Sequence, residues 1–124
     1  MELNPEIDLS VDVNNLSSEF KQLSLTLYRY YKQKAAVECL RDVAKARLKE
    51  VKAITYKRIK SDSTVKHSEK SMEAEIDTDP AVLEAQTKFI RTEHDASTWG
   101  GAVDSMKAKK DMLMQLGADA RKER

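Results

Sequence analysis

From Ser18 to Lys60 the chain contains neither glycine nor proline. These are the residues that disfavour a helix interior most, by roughly 1 and 3 kcal/mol relative to alanine. Their absence leaves nothing to stop a helix once it has begun. Such a helix, roughly 40 residues long, would extend about 60 Å at 1.5 Å per residue. Its apolar positions recur at helical spacing: Leu16, Phe20, Leu23 and Leu27, with Tyr30 or Tyr31 extending the series. After a change of phase the stripe resumes at Val37, Leu40, Ala44, Leu48, Val51 and Ile54. That phase change leaves room for a break near Gln33–Ala36.

The flanks differ in character. Residues 7–13, IDLSVDV, alternate apolar and polar, the pattern of an extended arm with one face packed on its own chain or a neighbour's. Asn15 or Ser17 can then cap a helix starting near Ser18. Beyond Lys60, the polar, serine-rich KSDSTVKHSEKS (60–71) reads as a turn or linker. Asp79 followed by Pro80 marks a second helix start, because proline at the first helical position gives up an N–H that has no partner there anyway. That helix runs through Val82, Phe89 and Ile90. Trp99-Gly100-Gly101 is a kink or a close crossing of small residues, and Val103, Met106, Leu113 and Leu116 then face inward up to an end at Gly117.

The fold expected is therefore all-α: a long N-terminal helix followed by C-terminal helices, forming a helical hairpin or bundle. Residues 1–60 form an arm and long basic helix, 61–78 a polar linker, and 79–124 a C-terminal helical oligomerisation region. With 124 residues in all, these segments belong to one domain. A thin helical chain buries little surface per residue, which favours association with its own copies.

Composition narrows the setting. Charged residues make up 35% and the mean hydropathy is −0.64. No apolar run approaches the roughly 20 residues of a spanning helix. The acidic start MELNPEIDLS lacks a signal-peptide pattern. The single cysteine, Cys39, excludes an intrachain disulfide, suits a reducing cytosol and is expected to be a small packed residue. These features point to a cytoplasmic protein with no membrane partner.

The near-neutral net charge of +1 conceals segregation. Residues 1–20 hold five acids and no base; 29–60 hold eleven bases against three acids; 73–98 hold seven acids against two bases. At 100° per residue, Lys34, Arg41, Lys45, Lys49, Lys52 and Lys60 fall within one arc of about 100°, with the apolar stripe opposite. An ordinary solvated helix face mixes signs, because acid–base pairs four apart stabilise it and like charges at that spacing repel. A row of cations alone is better tolerated where a phosphate backbone supplies the anions. Arg47 and Arg58 sit instead on the apolar arc, where a buried guanidinium needs a carboxylate or a phosphate. Arg47 therefore either pairs with an acid from residues 73–95 or lies on a face that borders a channel, and the acidic stretch EAEIDTDPAVLE (73–84) reads as the complement of the basic segment in the same or a neighbouring chain.

LYRYYKQK (27–34) interleaves three tyrosines with cations, the usual platform for unpaired bases. Tyr28, Tyr30 and Tyr31 cannot share one face, so at least one belongs to the core or a subunit contact. Trp99 reads as core or interface, and the methionines as adaptable packing. Nothing supports catalysis: His67 and His94 lack metal-ligand spacing, and there is no phosphate-cradling glycine loop or nucleophile elbow. No enzyme activity, metal or cofactor is expected.

Lys45-Ala46-Arg47-Leu48 (KARL), SEK at 68–70, DPAVLEA at 79–85 and WGGAVDSMK at 99–107 stand in an order and spacing that resemble those of the UvsY recombination mediators of tailed phages. The resemblance covers about two-thirds of the chain, from Lys45 onward; the N-terminal 40 residues correspond poorly. It implies a homo-oligomeric ring, hexameric or heptameric, that binds single-stranded DNA and helps a RecA-type phage recombinase replace a single-stranded-DNA-binding protein. It also implies that Lys45 and Arg47 of the KARL element contact the DNA. Charge patterning extends the expected nucleic-acid-binding set to Arg41, Lys49, Lys52, Arg58 and Lys60. The alternative is a coiled-coil scaffolding protein whose basic and acidic segments pair between subunits and which has no DNA role.

Overall fold

The computed structural model describes residues 3–62 and 67–122. These form a short helix α1 (Pro5–Asp8), a long α2 (Leu16–Ser61), α3 (Glu69–Thr78) and a long α4 (Pro80–Lys122). No strand occurs among the described residues, so the all-α expectation holds. Helix α2 runs unbroken through Gln33–Ala36 and begins at Leu16, with the Asn15 carbonyl accepting from the Glu19 N–H at 3.2 Å.

The chain forms two compact units, Met1–Ala36 with Ala96–Arg124, and Val37–Asp95. Both long helices contribute to each unit.

In the first unit, Leu23 and Tyr30 of α2 meet Val103, Met106 and Leu113 of α4 in a core, with Trp99 packed against it. Tyr30 is the buried member of its tyrosine trio; Tyr28 and Tyr31 are exposed. Its ring lies 5.9 Å from that of Trp99, tilted by 55°, a favourable aromatic arrangement. Its hydroxyl donates to Asp8 Oδ2 at 2.7 Å, and burial together with this carboxylate pushes the phenol pKa up. Lys109 completes the tie. Its ammonium donates to the Asp8 carbonyl and lies 3.0 Å from Glu19 Oε2, and it holds the Glu19 carboxyl below its usual value.

The N-terminal arm thus packs on its own chain, through Leu3, Leu9 and Val11. It is not extended from Ile7, however, because Asn4 caps a helical turn through Asp8.

Two further expectations change here. The glycine pair makes no close crossing in this unit: a Cβ at Gly101 would meet nothing within 4 Å, and one at Gly100 would meet only Lys34 Cε at 3.9 Å. Gly117 does not end α4, which continues to Lys122. It lies instead under the Phe20 ring, whose edge is 3.4 Å from where a Cβ would stand.

In the second unit, Leu48 and Val51 of α2 pack against Val82 of α4, with Ile76, Ala85 and Phe89 alongside. Part of the expected linker is helix α3. Ser68 Oγ accepts the Ser71 N–H at 3.2 Å to start it, and Met72 and Ile76, one turn apart, sit half-buried on one side of it. Residues 63–66 of that segment lie outside the described residues. Asp79 closes α3 and opens α4: its N–H donates to the Ile76 carbonyl, and its Oδ2 accepts from the N–H groups of Ala81 and Val82 at 3.0 and 3.4 Å. The inference of an Asp79 cap before Pro80 is met.

Candidate nucleic-acid interface

The C-terminal half of α2 carries the candidate site, and the second unit divides its surface three ways. Val37, Ala44, Leu48, Val51 and Thr55 are buried. Leu40 and Ile54, expected inward, are each more than half exposed, as is Val43 on the same side, and Cys39, expected to be packed, is exposed as well. An apolar arc this wide cannot be covered by a single neighbouring helix. Arg41, Lys45, Lys49, Lys52 and Lys60 occupy the third side, as the spacing predicts.

What each cation meets separates the expected set into two groups. Arg58 Nη2 lies 2.6 Å from Asp79 Oδ1, whose side chain is only 8% exposed. This ion pair joins the end of α2 to the acidic segment, while the Arg58 side chain itself stays 66% exposed. The arginine holds the Asp79 carboxyl below its usual value. Arg47 is not buried: its side chain is 59% exposed and its Nη1 lies 3.2 Å from Glu50 on the same helix. Arg41 Nε lies 3.1 Å from its neighbour Asp42. Exposed pairs of this kind stabilise little and exchange readily.

The lysines differ. Among the described residues no salt bridge reaches Lys45, Lys49, Lys52 or Lys60. Lys52 borders a shallow cleft with Asp77, Val82 and Gln86 without pairing to the aspartate. Lys45, Lys49 and Lys52 recur at steps of four and three on one helix, where their mutual repulsion costs a few tenths of a kcal/mol per pair, by about the amount a mixed pair would gain. Asp79 is the acid of the 73–95 segment that ion-pairs with this helix among the described residues.

Tyr56, absent from the expected set, shares the side of α2 that carries the lysines. It stands four residues after Lys52 and four before Lys60, inside the cationic arc, with Lys60 Nζ 5.5 Å from its ring centroid. The signal was its register, visible once the arc is continued past Lys52. Tyr28 and Tyr31 belong to the other unit, where Lys107 Nζ lies 5.4 Å from the Tyr31 ring centroid.

No group of three or more metal-binding side chains occurs among the described residues, and none of their helices is long and apolar enough to cross a membrane. Comparison of the chain with protein-family models, with curated proteins and with solved structures found no match.

Proposed function

We propose that this protein is a non-enzymatic recombination mediator: it binds single-stranded DNA without sequence specificity and promotes loading of a RecA-type phage recombinase in place of a single-stranded-DNA-binding protein. The observation that carries this reading is the row Lys45, Lys49, Lys52, on one side of α2 and without carboxylate partners among the described residues. Arg41 and Arg47 join from weak exposed pairs that a phosphate can displace. Contacts of this kind hold a backbone and carry no base information. The resemblance to the UvsY mediators supplies the recombinase, the displaced protein and the ring, and the exposed Leu40, Val43 and Ile54 supply an apolar surface for self-association. Several weak rows acting on one strand would multiply avidity.

Fluorescence anisotropy on single-stranded oligonucleotides across a salt series tests the reading. The wild type should bind with a steep salt dependence, and Lys49→Ala with Lys52→Ala should reduce the log–log slope by about 0.7 for each lost phosphate contact. An unchanged affinity and slope in that variant removes the site.

One observation favours the scaffolding reading instead. The Arg58–Asp79 pair shows the acidic segment already neutralising part of the basic helix. If neighbouring subunits neutralise the rest, the protein assembles without DNA affinity and its oligomer dissociates at high salt, which light scattering on the same samples would reveal.

A further inference from the structure

The cationic row leads into a cleft of about 640 Å³ between the last turns of α2 and helix α3, within the roughly 300–1,000 Å³ range of small-ligand sites. Its apolar lining is Ile59, Met72 and Ile76, the last packed against the core of the second unit. Tyr56 stands at its edge, 42% exposed. Lys60 lines the α2 side, while Glu69 and Glu73 line the α3 side, with His67 just before the start of α3.

We infer that this cleft receives an unpaired nucleobase, with Tyr56 as the stacking platform, Lys60 beside the phosphate and the α3 carboxylates facing the base edge; the inference rests on the single-strand-binding reading above. The occupant follows from the charge layout. A purely anionic ligand such as inorganic phosphate would be repelled by Glu69 and Glu73. A purely apolar one would leave Lys60 and both carboxylates facing it without a partner. A nucleotide satisfies both sides, because its phosphate is anionic while cytosine, adenine and guanine present amino donors that a carboxylate accepts. The aromatic ring supplies the sequence-tolerant part of the contact, since every base has a face to stack. Continuity adds to this: the steps from Lys45 through Lys49, Lys52 and Tyr56 to Lys60 are four, three, four and four residues, so a backbone following the lysines arrives at the ring.

The test compares a cytosine oligonucleotide with an abasic one of equal length, on the full chain. Tyr56→Leu should weaken binding of the cytosine strand by about 5- to 150-fold, leave the abasic strand's affinity unchanged, and preserve the salt slope of both. Tyr56→Phe should retain wild-type binding. A 2-aminopurine placed in the strand should lose fluorescence on binding to the wild type and keep it with Tyr56→Leu. Equal losses on the two strands, or no loss on either, overturn the base-binding cleft. If the wild type binds both strands equally while Lys49→Ala with Lys52→Ala abolishes binding, the phosphate row stands and the cleft does not. If the wild type binds neither strand, both readings fall.

Discussion

Arg58 and Asp79 are joined at 2.6 Å, and the same aspartate that receives the guanidinium also caps the first turn of α4. One carboxylate therefore fastens the end of α2 to the α3–α4 junction. Arg58→Ala should lower the urea midpoint while leaving the salt slope of oligonucleotide binding unchanged, the reverse of Lys49→Ala with Lys52→Ala. Asp79→Ala should lower the midpoint further than Arg58→Ala does, because it removes the cap as well as the pair.

Acid should loosen both units. Glu19 is held below its ordinary 4.5 by Lys109, and Asp79 below its ordinary 3.8 by Arg58. Each folded group binds its proton less readily than the unfolded chain does. Its contribution is therefore complete above the unfolded value and disappears as pH falls through the lower, folded one. Circular dichroism followed downward from pH 6 should show stability declining over that range, and Glu19→Gln should flatten the part belonging to the first unit.

Tyr30 behaves in the opposite sense. Its phenol is raised above the ordinary 10.0, so its contribution is complete below that value and is lost as pH climbs through the folded pKa. Tyr30→Phe keeps the ring against Trp99 but removes a hydrogen bond to a carboxylate, which should cost about 1.5–3 kcal/mol. It should also free the N-terminal arm. Chemical denaturation gives the first quantity, and protease sensitivity around Asp12 and Val13 the second.

Leu113 is fully buried in the core of the first unit. Leu113→Ala should cost about 2–5 kcal/mol, the transfer loss plus the cavity left behind. Leu40→Ala, at an exposed position of α2, should change the stability of an isolated chain by less than about 0.5 kcal/mol.

Gly101 has ordinary helical φ and open space where a side chain would stand. Gly101→Ala should raise stability by about 0.5–1 kcal/mol, because alanine gives up less backbone freedom on folding. A urea titration at low protein concentration reads this directly.

Much of this architecture could be read from residue order. The unbroken α2 follows from missing breakers, and the start of α4 from Asp79-Pro80, because both are local effects. Inward Val103, Met106 and Leu113 follow from spacing. Local reasoning fails where a neighbour decides. Leu40, Val43 and Ile54 have the same periodicity as Val37, Leu48 and Val51, and only the position of α4 determines which half of the arc is covered. Helix α3 escaped notice because its sequence is acidic and it offers little beyond Met72 and Ile76 to pack.

Gly117 has the composition of a stop signal, yet α4 continues through it to Lys122. At the candidate site the lysine row was legible from spacing alone. The engagement of Arg58 was not, since it depends on where the α3–α4 junction lies. Tyr56 was legible in register but was hidden among charges.

The uncovered leucine, valine and isoleucine of α2 lie about 180° around the helix axis from Lys45, Lys49 and Lys52. Copies that adhere along the greasy side would leave every ammonium group in water. Stickiness and polyanion capture then do not compete for the same surface, and raising the protein concentration should sharpen the grip on a long strand rather than block it.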